Sequence, residues 1–429
     1  MVNPGSTSYS GITQQLSAEQ YVDFSAAATW LLFLGVFFAP CESLRVSGAL
    51  SISDLCIGLA IAVKFLGQDA STSRMWLPLP WVVALILGLV TALWQLELNS
   101  STYRQNVTQY IVYSYIHIVV PLVIVQWYSS GPRVVPQLVT AWILGSTLSA
   151  LVAVMDANGL WPDLLDAYAK DEGRRFAGMA LHSTSLGFNV SMALAATSVL
   201  FIRSRSWMGS LVWLLVLYVN FSAANLSGSR SSLLAPVVGL VFVVCFSLWS
   251  RHFRWSHVYK LILVSACVAL APVLIRGGPA PDSQSAYSRL SGAASSVVSD
   301  YRRAVRQAES WEDIWERPVL GNGYHTIGQA HHRLLELLEA GGLVMCFSFA
   351  LQMAFMYLIV ISAWRKMSAP DTFYMGLIAA NVAYWSVFWA HSGLFSRTVG
   401  VLFGLTLLGA IRLVLQRSAE EGRLWSEVS

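Results

Sequence analysis

Long apolar runs broken by short polar gaps make up most of this chain. A helix needs about 20 apolar residues to cross roughly 30 Å of hydrocarbon. A window of that length predicts about twelve spans, near 23–40, 47–66, 76–96, 107–128, 134–154, 182–202, 208–225, 233–249, 259–275, 341–363, 374–394 and 399–416. One gap breaks the rhythm: 276–340 holds about 65 residues, too many for a passive connector. Within it, SSVVSDYRRAVRQAESWEDIW is amphipathic, which predicts one or two helices lying along a membrane–water boundary. The expected fold is an all-α integral membrane protein of about 12 transmembrane helices, a single polytopic domain over 1–429, with 276–340 as a large loop of short helices between spans nine and ten. The opening MVNPGSTSYSGITQQLSAEQ has neither a basic start nor a small-residue cleavage site, so the first span is expected to stay in the mature protein.

Composition sharpens this picture. Hydrophobic residues are 55% and charged residues 12% of the chain, against roughly 25% charged in an ordinary soluble domain. With 17 Trp and a mean hydropathy of +0.57, the composition argues strongly against a soluble globule and excludes a disordered chain, collagen and a coiled coil. The net charge of +4 is small and scattered, which gives no footprint for nucleic acid. Cys41, Cys56, Cys245, Cys267 and Cys346 lie in or beside apolar runs without CxxC spacing, so they read as small hydrophobes rather than disulfides or zinc ligands. The basic residues carry the orientation. A cytoplasmic N-terminus puts Arg74, Arg133, Arg203, Arg205, Arg251, Arg254, Lys260, Arg365, Lys366, Arg417 and Arg423 on the inside, together with the C-terminus. The long loop then lies outside.

Three polar motifs fall on that outer side. The first is RFAGMALHSTSLG, from Arg175 through His182 to Gly187; a loop arginine followed by a small-residue packing face is its plainer reading. The second is LSGSRSS, residues 226–232, with Ser229 and Arg230 between two apolar runs. It reads as a polar hairpin or as an anion site, since an arginine pinned there is costly without an anion and its neighbours leave backbone N–H groups available. The third runs from PVLGNGYH, ending at His325, to AHHRLLELLEAGG, with His331, His332 and Glu336. An imidazole at the mouth of the tenth span suits proton transfer near neutral pH, and an anchor in the headgroup layer is the plainer alternative. A metal site was weighed for this histidine cluster and set aside, since HExxH is absent and adjacent histidines cannot face one way on a helix.

The order RxxG(x8)G, SGSRSS, long outer loop, PxLGxG and AHxxxLxxL resembles the O-antigen ligase and Wzy-type polymerase superfamily of bacterial polytopic glycosyltransferases, over about residues 170–350. The resemblance implies a GT-C-like helical bundle in the inner membrane with a large periplasmic loop and a periplasmic active site. It implies an undecaprenyl-diphosphate-linked oligosaccharide donor, a glycan or lipid-linked glycan acceptor, membrane lipids around both, and no metal or other cofactor. A flippase and a chain-length regulator are the protein partners it suggests. By position, Arg175 and Arg230 fall on the family's diphosphate-associated arginines and His331 on its proposed general base. Ser229, His182, Arg289, His325 and His332 are expected to contact substrate. Two departures stand out: His332 replaces the family's Asn after the base, leaving open which histidine serves, and His182-Ser183-Thr184 replaces Asn-Pro-Asn.

The chemistry agrees with that assignment. Arginine is a fixed planar cation suited to a diphosphate leaving group, and a neutral imidazole can take the proton of an attacking sugar hydroxyl. A single displacement then inverts the anomeric carbon. Arg302, Arg303 and Arg306 either assist or form the solvated face of an interfacial helix. The rival classes are a ligase with a lipid A-core acceptor, a protein Ser or Thr acceptor, a lipid-linked glycan transporter, and a scaffold. A transporter should carry ionisable groups at mid-membrane, whereas Asp54, Lys64 and His117 read as structural pairings or helix-end groups. The reading favoured is a polymerase.

Overall fold

The computed structural model describes residues 26–47, 50–66, 77–98, 103–131, 133–160, 176–249, 257–264, 266, 294–326, 332–366, 371–388 and 396–428. The chain folds as an α-helical bundle. Its helices are α1 (Ala26–Phe38), α2 (Ile52–Leu66), α3 (Leu79–Leu98), α4 (Tyr103–Ser114), α5 (Val120–Val125), α6 (Val134–Ala157), α7 (Ser183–Arg203), α8 (Trp207–Leu226) and α9 (Arg230–Trp249). Helical residues 257–264 form α10. Then come α11 (Ala294–Glu316), α12 (Arg333–Lys366), α13 (Thr372–Phe388) and α14 (Arg397–Val428). Among the described residues six helices are long and apolar enough to cross a membrane: Arg104–Val125, Val134–Ala157, Ser183–Arg203, Trp207–Leu226, Arg333–Arg365 and Arg397–Gln416. Four shorter apolar helices, Ala26–Phe38, Leu79–Trp94, Arg230–Phe242 and Thr372–Phe388, sit where spans were predicted. This is the architecture of an α-helical membrane protein.

Small residues explain how the helices close on one another. A Cβ on Gly239 of α9 would lie 2.5 Å from the Ala379 carbonyl oxygen of α13, and one on Gly400 of α14 would lie 2.2 Å from that of Ile116. Such contacts replace the hydrophobic drive that lipid does not supply. α7 is the hub, packed against α6, α8, α9 and α13, and nearly every residue of it is buried. The span through α4 and α5 contains a π-helical turn, Tyr115–Val119, just before Pro121. Proline lacks the N–H that would continue the α ladder, and a wider turn absorbs the misfit.

Two boundaries differ from the sequence prediction. The second span was expected from 47, but Arg45–Ser47 and Leu50–Ser51 pair as short antiparallel strands and the helix begins at Ile52. Ser51 and Asp54 cap it reciprocally: Ser51 N–H donates to Asp54 Oδ2 at 2.8 Å and Asp54 N–H to Ser51 Oγ at 3.2 Å, a capping box. The tenth span was expected from 341, but α12 begins at Arg333 and kinks at Gly342, whose φ is +62°. The PVLGNG segment fills that kink. Leu343 and Val344 donate to the carbonyls of Pro318 and Val319 at 2.9 and 3.2 Å, while Asn322 and Gly323 donate to those of Glu339 and Ala340 at 2.6 and 3.1 Å. The glycine-rich motif is thus first a backbone plug that satisfies the groups a helix break leaves bare.

The amphipathic stretch forms one helix, α11. Ser310 and Ile314 face the bundle, while Tyr301, Val305, Trp311 and Trp315 are exposed along another stripe. Asp54 and Lys64 take the structural places predicted for them. Asp54 pairs with Arg397, and Lys64 Nζ donates to the Gln126 carbonyl, at the end of α5, at 2.7 Å. His117 packs among the rings of Tyr113, Phe349 and Phe403.

Candidate functional site

Segments far apart in sequence meet where α7 begins. Residue 176 bridges to the end of α8, its N–H donating to the Leu226 carbonyl at 3.3 Å. The chain then turns at Gly178, with φ of +54°, and Met179 N–H donates to Ser149 Oγ at 3.1 Å. His182 holds the N-cap position of α7 in an extended conformation, and it is exposed. One turn later, a Cβ on Gly187 would lie 2.6 Å from Ser227 Oγ and 3.0 Å from Ser229 Cβ. Only glycine lets α7 approach the SGSRSS turn this closely. The first two motifs are therefore one structure.

Within that turn Gly228 takes φ of +65°, and the hydroxyls bond mostly to their own segment. Ser227 Oγ donates to the Ala224 carbonyl at 2.7 Å, Ser232 Oγ lies 2.9 Å from the same carbonyl oxygen, and the Ser229 and Ser231 hydroxyls are 2.9 Å apart. The network leaves Arg230, the first residue of α9, with its side chain 31% exposed and paired with Asp300 of α11. Arg303 joins them. Burial lowers its pKa most, Asp300 raises it, and the repulsion of Arg230 lowers it again. Arg303 thus feels the field of the Arg230–Asp300 ion pair, and an anion would neutralise the positive charge of the two guanidinium groups. Arg306, by contrast, pairs with Glu309 at 2.9 Å on the exposed face, as a solvated helix charge does.

The third motif holds its two described histidines differently. Asn106 Oδ1 accepts from the His325 backbone N–H at 2.8 Å and lies 2.8 Å from His325 Nδ1. An oxygen that accepts from both puts the neutral ring's proton on Nδ1 and leaves Nε2 as its basic atom. Burial lowers the His325 pKa. The Nδ1 of His332 instead accepts the Leu335 N–H at 3.4 Å, capping α12. Burial lowers its pKa most, and a hydrogen bond to its own backbone opposes that. Arg175, Arg289 and His331 lie outside the described residues.

Sequence reasoning passed over two buried arginines at this end. Arg333 opens α12 with no exposed surface. Its guanidinium carbon lies 4.7 Å from the ring centres of Phe188 and Tyr384 and 5.7 Å from that of Phe388. None of its three nitrogens makes a well-formed hydrogen bond among the described residues. Glu336, one turn later, is also fully buried. Arg397 opens α14 and is fully engaged: its Nε donates to Asp54 Oδ1 at 2.8 Å, its Nη2 to Asp54 Oδ2 at 2.7 Å, and its backbone N–H to Glu42 Oε1 at 3.2 Å. Glu42 is 1% exposed. Its pKa is raised, with burial outweighing the opposing pull of Arg397 and its hydrogen bonds. Ser396 Oγ lies 2.9 Å from Glu42 Oε1 and 3.0 Å from Asn189 Oδ1.

The consecutive residues Gly187, Phe188 and Asn189 of α7 therefore touch the SGSRSS turn, the Arg333 cage and the Arg397 network in turn. His182, Ser229 and Arg230 belong to this cluster, while His325 is anchored at the start of α4. The visible signals were an arginine inside HHRLLELLE and another opening an apolar run, but the rings and carboxylates around them come from distant helices. Among the described residues no group of three or more His, Cys, Asp or Glu side chains is placed to hold a metal ion. In comparisons with known proteins, no family model matches this chain, and no curated protein matches it significantly.

Proposed function

We propose that this protein is a metal-independent, inverting membrane glycosyltransferase that polymerises glycan repeat units from an undecaprenyl-diphosphate carrier. In this reading about twelve spans form a GT-C-like bundle in the bacterial inner membrane, both termini are cytoplasmic, and the motif-bearing end faces the periplasm. The observation that carries the reading is the convergence on α7 of His182, Ser229 and Arg230, with Arg303 adding a second cation beside the single carboxylate of Asp300. An anionic leaving group needs fixed cations where its charge grows, and arginine supplies them without titrating.

In the proposed reaction the acceptor hydroxyl gives its proton to His331 while its oxygen attacks the anomeric carbon. The bond from that carbon to the phosphate oxygen breaks, and undecaprenyl diphosphate departs beside Arg175 and Arg230. His332, whose Nδ1 accepts the Leu335 N–H, is the alternative base. Ser229, His182, Arg289 and His325 are assigned contacts with substrate. The test is elongation of an undecaprenyl-diphosphate-linked repeat unit by purified protein without added metal, read on a gel. Elongation from donor alone, lost in Arg230→Ala and His331→Ala, supports a polymerase. Product only after lipid A-core is added makes the protein a ligase, and no product with either acceptor contradicts the reading.

A further inference from the structure

Arg333 is a buried cation caged by rings, with no carboxylate bonded to it among the described residues. A buried guanidinium is ordinarily tied to a carboxylate or to carbonyls, as Arg397 is to Asp54. Arg333 has rings instead. Phe188, Tyr384 and Phe388 lie 4.7, 4.7 and 5.7 Å from it. Aromatic faces stabilise the charge and the Tyr384 hydroxyl interacts with it, but none of its three nitrogens makes a well-formed hydrogen bond among the described residues. Phe188 adjoins Gly187, the residue against which the SGSRSS turn packs, so the cage and the Arg230 turn share one turn of α7. From this juxtaposition we infer that Arg333 is a further binding residue for the phosphate groups of the lipid-linked donor, completing with Arg230 a clamp for the anion.

This inference rests on the proposed donor. The planar fork of a guanidinium matches two phosphate oxygens at once, and rings stacked on its faces fix the plane of that fork. Phe388, the most distant of the three rings, ends α13. Trp385 packs 5.3 Å from Tyr384 and 4.7 Å from Phe388, so it reports on the cage from within.

The experiment titrates the purified full-length protein with undecaprenyl diphosphate and with uncharged undecaprenol, reading the tryptophan fluorescence change that disappears in Trp385→Phe. Wild type is expected to bind the diphosphate with that signal and to bind undecaprenol more weakly. Arg333→Met keeps the length of the side chain without charge or donors; it is expected to fold and to bind the diphosphate about 10- to 100-fold more weakly, the loss of charged hydrogen bonds, with undecaprenol binding unchanged. Should Arg333→Met not fold, Arg333→Lys carries the test, keeping the charge but losing the fork, with a loss of about 3- to 10-fold. Wild-type affinity in the folded variant overturns the role of Arg333 and leaves the donor reading standing. Equal binding of diphosphate and undecaprenol by wild type overturns both.

Discussion

Arg397 and Arg333 open neighbouring helices at the same end of the bundle, both are buried, and their surroundings are opposite. Arg397 donates to both oxygens of Asp54 and its backbone to Glu42. Arg333 lies among ring faces, with the Tyr384 hydroxyl interacting with it. The first is a closed network that ties α14 to the start of α2 and the turn after α1, as a latch does. The second holds donors in readiness. The difference separates a cation used for folding from one used for a ligand: burial alone does not distinguish them, and completeness of hydrogen bonding does.

Removing an Arg397 partner should have the largest effect. Asp54→Ala leaves a buried guanidinium without its bidentate acceptor and also breaks the capping box of α2; a loss of about 3–5 kcal/mol is expected from the broken pair, measured as a fall in the unfolding temperature of the purified protein. The comparison predicts a smaller effect at the other arginine. Arg333→Met removes a charge that no carboxylate bonds among the described residues, so it should cost less stability than Asp54→Ala in the same measurement, while diphosphate binding falls. Equal destabilisation by the two substitutions would erase the distinction between the two sites.

Glu42 gives a smaller, pH-dependent effect. Its folded-state pKa is raised, chiefly by burial, so the folded protein holds this proton more tightly than the unfolded chain. The contribution is fully present below the unfolded carboxylate value near 4.3 and is lost as pH rises through the raised folded value. Unfolding temperature measured against pH should therefore decline across that window in wild type, and Glu42→Gln should remove this decline. The half-exposed pair between Arg230 and Asp300 should matter least to folding. Asp300→Asn is expected to change stability by less than about 1 kcal/mol, yet to tighten diphosphate binding by releasing Arg230 to the ligand.

Much of the helical framework was legible in the sequence because membrane helices write themselves as apolar runs. Two starts were misread for local reasons. The Ser51 and Asp54 cap delays α2, and the backbone of Pro318 to Gly323 repairs the break at Gly342, which lets α12 begin at Arg333. The SGSRSS turn and the His182 to Gly187 segment were recognisable as polar motifs, but the fit of Gly187 against Ser227 is a meeting of two helices that neither segment encodes alone. The roles of Arg333, Arg397 and Asn106 were hidden for the same reason. Each depends on partners brought from elsewhere: Phe188 from α7 and Tyr384 from α13 for Arg333, Asp54 from α2 for Arg397, and His325 from the loop before α12 for Asn106.

The most direct test of the account counts leaving groups. Purified protein is supplied with the undecaprenyl-diphosphate-linked repeat unit in the presence of EDTA, and released undecaprenyl diphosphate is quantified against new glycosidic bonds. The account predicts one carrier released per bond, with both products lost together in Arg230→Ala. Intact donor with no bond formed, or intact donor carried across a vesicle membrane, would contradict it.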